Sequence, residues 1–371
     1  MSSRSAVFLA VVCLGCGAGA EFEAPDAGAS TIVDSGAAAD AGSEPDAGVT
    51  PTPAPDAGTP DAGGPPPIIN PVLNTDFPDP HVVRIDGLFH AWGTNISRNG
   101  VRHNIPHAVS SNLTTWVFRN DALPAVGSWA DGNDWTNWAP GVLVVNPTRT
   151  VLFYVAKRAG TGQQCIGRAV AANANGPFVD NFGAPLICNT TSAAGFWSID
   201  PSPFRDADGK LYLLWRQDFG SPVNNRAAIR QLAADGTSFA AGSTELGLVS
   251  RGAGSWEDPV LENPAMVRLG GKYWLFYSAN RWETAGYAVG YAECASVTGP
   301  CTKKTANTPW LSSIFALAGP GGQDFFTDDS GQTWMSLHGW VAPDVGYPAG
   351  KRALWVYRFG IENGVPKLSA P

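Results

Sequence analysis

From residue 68 onward the chain alternates short apolar runs with polar pairs, and one arrangement keeps returning. A turn containing Pro leads into a strand, a tight polar turn follows, and a second strand rich in aromatic and β-branched residues closes the unit. The first copy is Asp79-Pro80-His81-Val82-Val83-Arg84 then Leu88-Phe89-His90-Ala91-Trp92; the second is Ala139-Pro140-Gly141-Val142-Leu143-Val144 then Val151-Leu152-Phe153-Tyr154. Asp200-Pro201-Ser202-Pro203-Phe204-Arg205 with Leu211–Trp215 makes the third, and Asn263-Pro264-Ala265-Met266-Val267-Arg268 with Tyr273–Tyr277 the fourth. A degenerate fifth runs Gly321-Gly322-Gln323-Asp324-Phe325-Phe326, then Thr333–Leu337. Asp86-Gly87, Asp208-Gly209, Gly270-Gly271 and Ser330-Gly331 stand between the paired runs, as tight hairpins require.

Residues 79, 139, 200 and 263 are separated by 60, 61 and 63 positions, a period that suits one four-stranded blade per repeat. Third strands are visible at Ala227–Arg230 and Tyr287–Tyr291. The expectation is an all-β fold: a five-bladed β-propeller of four-stranded antiparallel blades around a central channel, spanning 68–371. A β-sandwich followed by a second domain would need a linker that this stretch lacks, and would make the repeat an accident.

The first 67 residues read differently. Arg4, the apolar run Ala6–Leu14 and the small residues that follow have the layout of a secretory signal, too short to span a bilayer. Residues 1–16 end in Cys13-Leu14-Gly15-Cys16, which resembles the lipobox of bacterial lipoproteins, so Cys16 is the expected site of an N-terminal lipid. Residues 17–67 repeat Asp-Ala-Gly five times with few large apolar side chains, and such a segment cannot bury enough surface to offset its ordering entropy. It is expected to be a disordered tether. The protein should therefore be exported, as a cell-envelope lipoprotein or a secreted chain.

Much of the net charge of −8 sits in that tether, leaving the rest close to neutral. With 14 Trp, 43 Gly and only 15% charged residues, the chain lacks the basic stripe of a nucleic-acid binder, and contact with a membrane is expected only through the lipid. Beyond the signal, Cys165, Cys188, Cys294 and Cys301 allow three pairings; the short separations favour Cys165–Cys188 and Cys294–Cys301. No spacing among them suits a metal.

Because the first strand of each propeller blade lines the channel, equivalent positions form a ring: Asp79, Ala139, Asp200, the Glu262-Asn263 pair and Gly322. Asp before Pro is a common turn opener, so any one of these means little. Three carboxyls at matching phases mean more, since converging like charges repel and raise one another's pKa. Acetal hydrolysis needs one protonated carboxyl to release the leaving oxygen and one ionised carboxylate to activate water, and groups from separate blades leave room for that water, which implies inversion.

These residues resemble glycoside hydrolase family 43 over essentially all of 68–371. Asn70–Pro80 is similar to the family's opening segment, which makes Asp79 the general base. Ile199–Phe204 with Asp208-Gly209-Lys210 resembles the segment whose aspartate tunes the acid, which falls on Asp200; Glu262–Val267 resembles the general-acid segment, giving Glu262. The resemblance implies a glycosidase acting on arabinofuranosyl or related pentosyl linkages of plant cell-wall polysaccharides, with β-xylosidase and endo-arabinanase activities as alternatives, and a monomer. Phe77, Trp138, Trp197, Asn280, His338 and Arg352 are the expected substrate-binding residues. Gly141 stands where relatives often have Asp. Gly322 and Gln323 stand where many have a His that holds a hydrated calcium, so a structural calcium is doubtful and no cofactor is required. An invertase-like propeller would show Asn-Asp-Pro and Arg-Asp-Pro segments instead, and a glycan-binding propeller without turnover would have no need of all three carboxyls.

Overall fold

The computed structural model describes residues 67–189 and 196–371. The lipobox-like segment and the Asp-Ala-Gly repeats lie outside the described residues. Within them the regular structure is all β, and five sheets follow one another around a ring as a five-bladed propeller.

Blade 1 holds β1 (His81–Ile85) and β2 (Leu88–Trp92), then a small hairpin of β3 (Ile96–Arg98) and β4 (Val101–His103), then β5 (His107–Ser110) and β6 (Val117–Phe118), in the sheet order β1-β2-β5-β6. Blade 2 is β7 (Trp138–Asn146), β8 (Arg149–Lys157) and β9 (Gln164–Ala171). Its outer position is taken by irregular chain, where Val179 and Ile187 make single bridges to Val170 and Ile166. The Cys165–Cys188 disulfide ties that chain down. Blade 3 is β10 (Ser198–Arg205), β11 (Leu211–Phe219), β12 (Ser221–Gln231) and β13 (Leu246–Ser250). Blade 4 is β14 (Leu261–Leu269), β15 (Lys272–Ala279), β16 (Ala288–Cys294) and β17 (Cys301–Lys303), the last two joined by the Cys294–Cys301 disulfide. Blade 5 is β18 (Leu317–Thr327), β19 (Thr333–Val341), β20 (Arg352–Glu362) and β21 (Val365–Ser369). Both disulfides are those expected from the short separations, and they point to folding outside the reducing cytosol.

Apolar burial is divided among five clusters, each filling a seam between neighbouring blades. Trp92 and Tyr154 meet in the first seam, Phe153 and Trp215 in the second, Leu214 and Tyr277 in the third, Phe276 and Trp355 in the fourth, and Phe89 and Phe326 in the last. This is why the strand tryptophans Trp215, Trp274 and Trp334 are core, at 1%, 1% and 4% exposure. The ring closes through residues 70–77. Val72 N–H donates to Leu354 O, Phe77 N–H donates to Arg352 O, and the Asn70 side chain bonds both the N–H and the C=O of Val356.

Candidate active site

Each blade's innermost strand begins with the same local distortion. Asp79, Ala139, Asp200 and Asn263 all precede Pro and all have left-handed backbone, with φ of 50°, 40°, 58° and 48°; Gly322 takes that place in blade 5 at 59°. Register shifts follow at the same phase, between Trp138 and Gly141, Ile199 and Ser202, and Glu262 and Ala265. A bulge of this kind bends the strand and re-aims its side chains, and bulky residues hold such a conformation only where the surroundings over-determine it. Here it delivers a ring of side chains to one end of the axis.

Three carboxyls of that ring line one cleft of about 880 Å³, Asp79 from blade 1, Asp200 from blade 3 and Glu262 from blade 4. Their surroundings differ. Asp79 Oδ2 accepts the Thr94 hydroxyl at 2.6 Å and lies 3.9 Å from Arg352 Nη1, while its Oδ1 is 3.3 Å from His338 Nδ1. Burial opposes charge on Asp79, whereas the Arg352 guanidinium and the Thr94 hydroxyl favour it and draw the carboxyl below its ordinary pKa; His338 acts from behind as the acceptor of the Asp79 N–H. Asp200 is pushed well above that range, by burial first and then by the charges of Glu262 and Asp79; its Oδ2 accepts the Asn263 N–H at 2.9 Å. Glu262 is also raised by burial, with Arg216 and Tyr287 pulling back: Arg216 Nη1 donates to Oε2 at 2.9 Å and the Tyr287 hydroxyl to Oε1 at 2.8 Å. One carboxyl is thus kept ionised beside two that favour a proton.

Of the six expected sugar contacts, Trp138, Trp197 and Arg352 line the cleft. Trp138 and Trp197 meet edge to face at 5.9 Å, and Arg352 lies 4.4 Å over the Trp282 ring. Phe77 does not reach the cleft: it is fully buried in the seam between blades 5 and 1, edge-on to Phe118 at 6.0 Å. His338 is also fully buried, behind Asp79, whose N–H donates to its Nδ1 at 3.0 Å, and its ring stacks parallel to Tyr287. Burial keeps that imidazole below its usual pKa, so Nδ1 retains the lone pair the bond needs. Asn280 spends its side chain on backbone, donating to Trp256 O and accepting from Arg281 N; the next three residues, Arg281, Trp282 and Glu283, face the cleft instead.

Sequence reasoning missed Thr94, Arg216, Tyr287 and Trp282 as cleft residues. Arg216 carried a signal, because Arg216-Gln217-Asp218 is a polar run ending the otherwise apolar β11 and therefore needs buried partners. Thr94 carried none.

The sequence pattern described as "Glycosyl hydrolases family 43" matches residues 68–366. The chain belongs to this family. It is a glycoside hydrolase, and the propeller is the family-43 catalytic fold. It is 26% identical over 313 residues to the probable arabinan endo-1,5-alpha-L-arabinosidase A of Neosartorya fischeri, covering 78% of this chain and 89% of the relative. Among solved structures, a thermostable family-43 glycoside hydrolase superposes with a TM-score of 0.68 at 25% identity, covering 81% of this chain and 96% of the other. An endo-1,4-beta-xylanase from Bacteroides thetaiotaomicron superposes at 0.66 and 28%, with the same coverage.

Beneath the carboxyls this family-43 domain has a narrow axial channel of about 20 Å³, and its donors are already committed. Gln323 accepts the Ser278 hydroxyl and donates to Asn263 O. Asp324 lies 2.6 Å from His81 Nδ1, and His81 Nε2 lies 2.9 Å from Val142 O. Among the described residues no three His, Cys, Asp or Glu side chains converge to hold a metal. These residues do not fit a cation ligated by protein side chains, and no chemical step is drawn through one. Gly322 leaves no free room for a side chain: a Cβ there would lie 2.5 Å from His338 Nδ1 and 2.9 Å from Asp79 Oδ1, so either group would have to shift. At Gly141 a Cβ would lie 2.4 Å from Pro201 O, so a longer side chain is excluded by the close approach of blades 2 and 3.

Proposed function

We propose that this glycosidase hydrolyses arabinofuranosyl linkages of arabinan-type polysaccharides with inversion. Asp79 takes a proton from water as that water attacks the anomeric carbon, Glu262 protonates the departing oxygen, and Asp200 beside Glu262 modulates the acid's pKa, helping to keep it protonated. The observation that carries this reading is that three carboxyls line one cleft with unlike partners, Asp79 against the Thr94 hydroxyl and Arg352, and Glu262 against Arg216 and Tyr287 beside Asp200, an arrangement that favours charge on Asp79 and a proton on the other two. The Neosartorya relative, whose name is that of an arabinosidase of arabinan, supports the sugar. Proton NMR of the first-formed sugar from arabino-oligosaccharides tests it: the inverted anomer is expected, and a retained anomer overturns the mechanism.

Attack within a chain is the second reading. Trp135 and Trp282, 41% and 38% exposed, present aromatic faces from the loop between blades 1 and 2 and from blade 4, and such faces pack on sugar rings. Early release of mixed oligosaccharides from linear arabinan supports internal attack; release of arabinose alone supports action at chain ends. The export reading is completed by a lipid on Cys16, checked by mass spectrometry of the mature N-terminus.

A further inference from the structure

Arg216 is buried mid-cleft and held from behind. Its Nε donates to Asp218 Oδ1 at 3.0 Å and its Nη2 to Asp218 Oδ2 at 3.3 Å, while Nη1 reaches Glu262 Oε2 at 2.9 Å. Asp218 has no exposed side-chain surface and is itself fixed by the Trp197 N–H. The guanidinium also lies 5.7 Å over the Trp197 ring. Arg216 therefore has almost no freedom to move away from Glu262.

We infer that Arg216, clamped by Asp218, is a positioning residue that occupies Oε2 of Glu262 and so directs the acid's proton to Oε1, the oxygen beside Tyr287. The inference rests on Glu262 being the acid. A guanidinium only donates, so a proton on Oε2 would face donors, whereas Oε1 faces a hydroxyl that can donate or accept. Tyr287 stays a phenol, because burial and the surrounding carboxylates push its pKa up. Its oxygen also accepts Asn263 Nδ2 at 3.0 Å. In the chemical step the Oε1–H bond breaks, the proton bonds to the leaving oxygen, and the electron pair of the cleaved C–O bond goes to that oxygen. Glu262 is left as a carboxylate already paired with Arg216. The groups facing Glu262 are Arg216 from β11, Tyr287 from just before β16, Asp200 from β10 and Asp79 from blade 1; Arg216 lowers the proton affinity of both Glu262 and Asp200.

The test compares Arg216→Gln and wild type on a 4-nitrophenyl arabinofuranoside, whose leaving group needs little protonation, and on arabinobiose, whose leaving group needs it. Arg216→Gln should move the alkaline limb of kcat/KM up by about one pH unit or more and lose at least tenfold more rate on arabinobiose than on the aryl substrate. Arg216→Lys should restore the limb. Asp218→Asn keeps the cation and removes one of its two carboxylate partners, so it should move the limb down, and it serves where Arg216→Gln fails to fold. Equal losses on both substrates with an unmoved limb, or an unmoved limb in Asp218→Asn, overturn the inference. Glu262→Gln is measured alongside: if it does not favour the aryl substrate, the acid assignment itself has failed, and if it does while Arg216→Gln does not, only the role of Arg216 falls.

Discussion

At the scale of single residues, chemistry here is set by what each carboxyl touches rather than by its being a carboxyl. Asp79 faces the Thr94 hydroxyl and the Arg352 guanidinium, Asp200 feels the charges of Glu262 and Asp79 more than it feels Arg216, and Glu262 lies between the Arg216 guanidinium and the charge of Asp79. In the proposed mechanism Asp79, as the base, must be ionised, and its lowered pKa should place the acid limb of turnover below the ordinary carboxylate range; Glu262, as the acid, must be protonated, and its raised pKa should move the alkaline limb up. A broad pH–rate plateau between the two limbs is expected. Asp79→Ala and Glu262→Ala should each cost about 10²–10⁴ in kcat on arabino-oligosaccharides, with the folded state retained by circular dichroism. Gly322→Ala is the sharper probe of geometry, because its methyl would strike His338 and Asp79 together. It should destabilise by about 1–3 kcal/mol and lower kcat more than it raises KM, read from steady-state kinetics and a melting curve. That Asp79, Asp200 and Glu262 belong to one ring was legible in the sequence, because Asp79 and Asp200 stand directly before Pro, and Glu262 just before the Asn263-Pro264 pair, at a repeated phase. His338 and Phe77 were not, since being behind or beside a pocket is not written in a side chain's type.

At the scale of elements, the bulged innermost strand is the device that turns a blade into a source of functional groups, and the neighbouring strands supply support. Blade 1 shows this cost most clearly. His90 on β2 and His107 on β5 stack with Trp92, and His90 Nδ1 lies 3.0 Å from His107 Nε2. Burial, joined by the nearby Arg119 charge, lowers His90 to about 4. Burial, then His90 and Arg119, lowers His107 to about 3. Both folded values lie below 6.5, so the unfolded chain takes up protons first as the pH falls. Stability should be full above about pH 6.5 and should decline toward pH 4; His107→Gln should flatten that slope, measured as melting temperature against pH. A wild-type melting temperature that stays level from pH 7 to 4 would contradict the buried neutral pair. No local pattern hinted at the pair, because residues 90 and 107 become neighbours only when β5 skips the β3–β4 hairpin to join β2.

At the scale of the whole molecule, five seams of apolar side chains hold the blades, and one short segment closes the ring. Asn70 acts there as a strand residue would, its amide donating to Val356 O at 2.6 Å and accepting Val356 N–H at 2.9 Å. Asn70→Ala leaves both backbone groups without that partner and should cost about 1–3 kcal/mol, seen in urea denaturation, whereas Ile69→Ala, at a residue 72% exposed, should be nearly silent. The repeat, the all-β class and the ring of three carboxyls were determined by the sequence alone, because period and turn chemistry are properties of neighbouring residues; for the cysteines the sequence favoured one of three pairings, and the structure decided it. Only the tertiary structure decided that Phe77 is core, that His338 supports Asp79 from 259 positions away, that Arg216 holds Glu262, and which tryptophans face the cleft. Those outcomes depend on side chains meeting across blade seams and around a closed ring, and no local pattern along the chain encodes which distant partner a side chain will meet.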